Sequence, residues 1–172
     1  DEYVSPYLSA FTALAFNRLR QQGYQVTELI EERLQAYLLN LLRRDSLPEE
    51  FSKGMTATVR AVALAALAET GKITADDVLR YHGHLPNMNL FGKAFYLQAL
   101  ISTGTLIEQQ REVLDLILAH VDQSGGHIGF NEPLDSGFRA LLSSPVRDNA
   151  AVLGGLLSWL RVNPGDAAVS DL

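Results

Sequence analysis

Between Met55 and Gly71 the chain reads MTATVRAVALAALAETG, and small or aliphatic residues cover almost the whole circumference of a helix. Arg60 is the only formal charge before Glu69. A helix that is apolar on every side is buried on every side. About 17 residues, many of them alanine, are marginal for spanning a bilayer. The stretch predicts a helix inside a protein, where alanine lets helix axes approach closely. Three other stretches share this pattern: SPYLSAFTALAFNRLRQQG, LFGKAFYLQALISTG and SPVRDNAAVLGGLLSWL. The first two end at Gly23 and Gly104, as Met55–Gly71 ends at Gly71. The irregular spacing of these glycines excludes a strict short repeat and predicts a loose repeat of helical hairpins.

Amphipathic segments alternate with the apolar ones. From Thr27 to about Arg44, Leu29, Ile30, Leu34, Leu38, Leu41 and Leu42 form one stripe. Glu28, Glu31, Glu32, Arg33 and Gln35 occupy the opposite face, and the acids-first, arginines-last order suits the helix dipole. Ser5-Pro6 opens the first helix. Thr74, with Asp77 three residues on, starts a short polar helix that His82-Gly83-His84-Leu85-Pro86 breaks. Ile107–Val121 is amphipathic, with Val113, Leu114, Ile117 and Leu118 inward. Asp122–Asp135 is the longest non-helical passage, and Pro145 opens the last apolar helix. Residues 163–172 form a polar tail expected to fray. No run of period 2 exceeds about five residues, so strands have little support. Alternating inner and outer helices predict an all-α fold, an α/α toroid of helical hairpins forming a partial ring over 1–162 with about seven or eight helices.

Composition narrows the function. The 172 residues suffice for one domain with a sizeable core, and 47% are hydrophobic. Net charge is −6 and the only basic cluster is Arg43-Arg44, which argues against a nucleic-acid surface. No apolar run reaches the length of a membrane span. Without cysteine there is no disulfide, thiolate nucleophile or Cys-ligated zinc in this chain. No signal peptide is present, and the opening Asp-Glu-Tyr reads as a piece cut from a longer polypeptide.

Candidate chemistry is sparse. His82 and His84 form an H-x-H pair, but glycine and proline place them in a loop, and no carboxylate spacing links His120 or His127 into a zinc site. Asp76-Asp77 resembles the acidic motif of terpene cyclases, which also needs an acid where this chain has Thr74. Asp135-Ser136-Gly137 lacks a nucleophile elbow, and the scattered carboxylates define no glycosidase pair. The glycine-rich run Gly125-Gly126-His127-Ile128-Gly129-Phe130 neither follows a strand nor carries a P-loop lysine. It reads as a tight turn with positive φ. Tyr3, Tyr7, Phe11 and Phe16 fit core packing at helical spacing. The residues assign no catalytic, cofactor-binding or metal site.

YVSPYLSAFTALAFNRLRQQGY resembles the helix after the thioester segment of bacterial α2-macroglobulins. MTATVRAVALAALAETGK, NLFGKAFYLQALISTG and LLSSPVRDNAAVLGGLL look like later inner helices of that domain, and Ser-Ser-Pro-Val-Arg-Asp-Asn-Ala is the most specific segment. The resemblance covers most of residues 3 to 161. It implies the thioester-containing, complement-like domain of a broad-spectrum protease inhibitor, not an enzyme. Such a protein traps proteases after cleavage of a bait region. Implied partners are the parent chain's other domains and the target proteases. The implied setting is the periplasm, with the parent anchored to the inner membrane as a lipoprotein. The thioester motif Cys-x-Glu-Gln is missing, and by analogy it would precede Asp1. The matching Asp45–Gly54 loop holds no histidine, so the resemblance implies amine rather than hydroxyl transfer wherever a thioester is present. An incomplete ring also predicts apolar inner-helix surface left open to solvent. Two other readings stand beside this one: a stand-alone helical-repeat interaction module, and a toroidal enzyme of the terpene cyclase or glycosidase type.

Overall fold

The structure is a computed structural model that describes residues 4–44, 47–134 and 136–172. Tyr3 and Asp135 lie outside the described residues. The helices are α1 (Pro6–Gln21), α2 (Glu28–Arg44), α3 (Lys53–Glu69), α4 (Ala75–Leu79), α5 (Leu90–Ser102), α6 (Ile107–Leu118), α7 (Pro145–Val162) and α8 (Ala167–Ser170). Three 3-10 segments, His82–Asn87, Ser124–Gly126 and Ser136–Leu141, lie between them. Two residues on each side, β1 (Val121–Asp122) and β2 (Gly129–Phe130), pair antiparallel. The protein is all-α, as the hydrophobic period predicts.

The ends of the helices follow from local chemistry. Ser5, Ser52, Asn89 and Ser144 cap α1, α3, α5 and α7 by accepting a backbone amide from the first turn. Gly71 closes α3 at φ 66°, a left-handed conformation that disfavours any residue with a Cβ. Pro6 and Pro145 sit at the first helical turn, where their missing N–H costs nothing.

The helices form two layers. α1 packs on α3, α3 on α5 and α5 on α7, and the row curls so that α7 reaches α1 through Arg147 and Tyr7; α3 and α5 share the largest interface. α2 packs on α1 and α3, and α4 and α6 pack on α5. α3 is buried around its whole circumference from Ala57 to Ala68, as its composition predicts. Gly92 explains how α5 comes so close: a Cβ there would lie 2.9 Å from Thr58 Oγ1 and 3.1 Å from Thr58 Cα. Gly155 does the same for α7 against α5, with Ala94 O 3.3 Å away. Leu64, Leu67, Leu97 and Leu100 are fully buried on α3 and α5. Each contributes roughly 1.5–3 kcal/mol by leaving water.

Several expectations need correction. On α2, Glu31 and Gln35 are buried while Leu29 and Ile30 are exposed. Leu38, Leu41 and Leu42 of the stripe are buried as expected, and Glu31 joins them with its charge met by Arg20, whose Nε donates to Glu31 Oε2 at 2.6 Å. Phe11 is 41% exposed and Phe16 half-buried, whereas Tyr7 is in the core. α1 stands at the end of the row, so only part of its circumference is covered. The His82–Pro86 breaker is itself a 3-10 turn that buries Leu85. The tail also differs from the expected fraying. Asp166 caps α8 and accepts from Trp159 Nε1 at 3.0 Å and Arg111 at 2.7 Å, and Val169 is buried.

Candidate functional site

The sequence candidates do not converge. His82 Nε2 lies 2.9 Å from Glu112 Oε2, and its Nδ1 lies 3.4 Å from the Tyr96 hydroxyl. The His84 ring is 6.0 Å from that of Tyr81. His120 Nδ1 donates to the Leu116 carbonyl at 3.0 Å, and His127 is exposed. Among the described residues no group of three or more His, Cys, Asp or Glu could hold a metal ion.

Tyr96, His82 and Glu112 have the connectivity of a proton relay, but burial, and then the Glu112 charge, push the Tyr96 phenol well above its usual range. Its hydroxyl donates to the Val78 carbonyl at 3.1 Å. The phenol is therefore a fixed neutral donor, and the chain of contacts ties the 3-10 turn to α5 and α6.

Asp77 serves α4 itself. Its carboxylate accepts from the Thr74 amide at 3.0 Å while its own amide donates to Thr74 Oγ1, a complete capping box. Backbone and side-chain hydrogen bonds from Thr74 hold the Asp77 carboxyl below the usual carboxylate range. Asp76 is exposed in the first turn. Gly125 and Gly126 take φ 68° and 74°, the tight turn expected of them.

What the fold does bring together is the segment from Leu141 to Asn149 and the first turns of α5 and α7. Arg147 lies with its guanidinium 3.9 Å from the centre of the Phe91 ring and 5.9 Å from that of Tyr7. It donates to the Tyr7 hydroxyl at 3.1 Å, to the Leu141 carbonyl, and through Nε to Asp148 Oδ1 at 2.8 Å. Asp148 also accepts from Ser143 Oγ at 3.0 Å. Burial raises the Tyr7 phenol above its usual value, with Arg147 opposing the rise. Asn149 clamps Phe130 from both sides: its Oδ1 accepts the Phe130 amide at 2.8 Å and its Nδ2 donates to the Phe130 carbonyl at 3.0 Å. Glu132 then closes the start of α5, accepting the Leu90 amide at 2.6 Å with Lys93 Nζ 3.7 Å away. Of these residues, Leu90, Phe130, Glu132, Ser143, Asp148 and Asn149 line a cleft of about 390 Å³. The hydrogen bonds of Arg147, Asp148, Asn149 and Glu132 lock α1, α5, α7 and the β1–β2 ribbon together.

A second concavity lies between α1 and α7, over α5. An apolar hollow of about 340 Å³, with Phe11, Ala15, Phe95 and Ala150 in its wall, continues past Arg18 and Gln98 into one of about 520 Å³.

No family model matches the chain, and no curated protein or solved structure matches it.

Sequence reasoning missed the Arg147 joint, although Arg147-Asp148-Asn149 lies in the segment that carries the strongest resemblance. The signal available was two adjacent opposite charges and an amide in the first turn of an otherwise apolar helix.

Proposed function

We propose that the chain is a helical-hairpin scaffold of the bacterial α2-macroglobulin type, part of a thioester-containing domain built as an α/α toroid. It would belong to a longer periplasmic polypeptide, anchored to the inner membrane as a lipoprotein, that traps proteases after bait-region cleavage. The observation that carries this reading is the Ser143–Asn149 joint. The segment most specific to the family is the one whose side chains fix α1, α5, α7 and the ribbon in one arrangement. The ordered row α1–α3–α5–α7 with an outer layer supports it further. In this reading the domain is a rigid support that positions reactive or partner groups, and its own residues carry no catalysis.

The test uses the natural polypeptide that contains this chain. After challenge with trypsin, the trapped protease should lose activity on a large protein substrate while keeping it on a small chromogenic peptide. Equal loss on both substrates, or none, overturns the reading. Mass spectrometry after methylamine treatment then separates the two kinds of trap. A glutamine adduct outside these residues marks a covalent trap, and its absence from a protecting polypeptide marks a non-covalent one.

A stand-alone helical interaction module is the second reading, favoured by the exposed Val146, Leu153 and Leu157 on α7. It predicts partner binding with no protection of trypsin from large substrates.

A further inference from the structure

We infer that the groove between α1 and α7 is a docking site for an amphipathic helix supplied from outside these residues, apolar on the buried face and carrying carboxylates along its edge. The two hollows are continuous, because Arg18, Gln98 and Gly154 belong to both. Their walls carry apolar side chains open to solvent at helical spacing. Phe11 and Ala15 on α1 are separated by one turn, and Ala150 and Leu157 on α7 by two. Such ridges accept the ridges of a third helix. α7 has 18 residues, so the groove offers about 27 Å of helix length.

Polar groups decide the chemistry of the partner. Gln98 is only 4% exposed, yet it lines both hollows. Its Oε1 accepts from Arg18 at 3.4 Å, and no hydrogen bond is made by its Nε2 among the described residues. This Nε2 is open to the groove rather than sealed in the core, so it can donate to an acceptor placed there. Arg18 and Arg161 stand exposed on the two walls, in a chain whose net charge is −6. The one carboxylate in the lining, Glu69, already accepts from Asn17 Nδ2 at 2.9 Å. The groove thus presents an apolar hollow at the Phe11 end, an amide donor open to it, and two arginines against one carboxylate at the other end. An acidic-edged amphipathic helix complements all three, and a basic-edged one does not.

The probe is a fluorescein-labelled helical peptide of about 18 residues, with leucines on one face and glutamates flanking them, followed by fluorescence anisotropy on the 172-residue chain. Comparison peptides replace every glutamate by lysine or scramble the order. Saturable binding of the glutamate peptide is expected, at least about tenfold tighter than for either comparison peptide. Gly154→Leu should abolish it. A Cβ at this position stands 3.8 Å from Gln98 Nε2, an ordinary contact, so the longer side chain projects into the groove without disturbing the backbone. Arg161→Glu, on an exposed side chain, should weaken binding roughly fivefold with an unchanged thermal melt. Equal binding of the three peptides, or glutamate-peptide binding that survives Gly154→Leu, overturns the proposal. So does sedimentation showing a dimer that Gly154→Leu dissociates, since the occupant is then a second copy.

Discussion

At the scale of single residues, the decisive features are close approaches and satisfied charges. Gly92 has no room for a methyl group against Thr58. Gly92→Ala should therefore destabilise the protein by about 1–3 kcal/mol, read from urea unfolding, because Thr58 Cα is main chain and Thr58 Oγ1 is held by its hydrogen bond to Asn89. Arg147 serves two rings, a carbonyl and a carboxylate at once. Arg147→Met keeps the bulk over Phe91 but leaves Asp148 Oδ1 and the Leu141 carbonyl without the Arg147 donor, at a cost of about 2–3 kcal/mol. Arg147→Lys should fall between, since an ammonium cannot serve several acceptors in one plane. Tyr96 gives a pH signature. Its phenol is raised in the folded state, so the unfolded chain loses that proton first. Its contribution is intact below the ordinary tyrosine value of about 10 and declines as pH rises from there through the folded value. Tyr96→Phe should flatten the alkaline fall in stability measured by denaturant titration, and an unchanged slope would contradict this. None of these roles was legible in composition. Hydrophobic pattern ranks residues one at a time, whereas the buried Glu31 is paired with Arg20 from another helix.

At the scale of elements, the sequence was more informative. The apolar circumference of α3, the serine caps and the helix-ending glycines are local signals, and local chemistry settles them. The capping box at Thr74 and Asp77 is one of these. Asp77→Ala should cost about 1 kcal/mol, seen as faster amide exchange in α4, with Asp76→Ala costing less. The hydrogen-bonded Asp77 carboxyl lies below its unfolded value. Its stabilisation is full above the unfolded carboxylate range and is lost as pH falls through the lower folded value. A toroidal enzyme reading would instead require both substitutions to abolish turnover of some substrate. The polar turn at His82–Asn87 and the docking of Val169 were not legible, because both depend on what α5, α6 and α7 offer from elsewhere in the chain.

At the scale of the whole molecule, the row of inner helices curls so that its ends, α1 and α7, meet at Tyr7 and Arg147 and still leave apolar side chains open on both. The order of inner and outer helices could be inferred from alternating composition. Where each helix turns its exposed face could not, because the four inner segments look alike in sequence but have different numbers of neighbours. α3 and α5 are covered on all sides, while α1 keeps Phe11 in solvent and α7 keeps Leu153. That difference fits the proposed role of the domain as a support for other protein segments. The most direct measurement is size-exclusion chromatography with light scattering on the natural polypeptide, before and after a limiting amount of trypsin. The account predicts that trypsin co-elutes with a more compact, cleaved polypeptide and stays with it in high salt. A cleaved polypeptide of unchanged or larger radius, with trypsin eluting free, would contradict it.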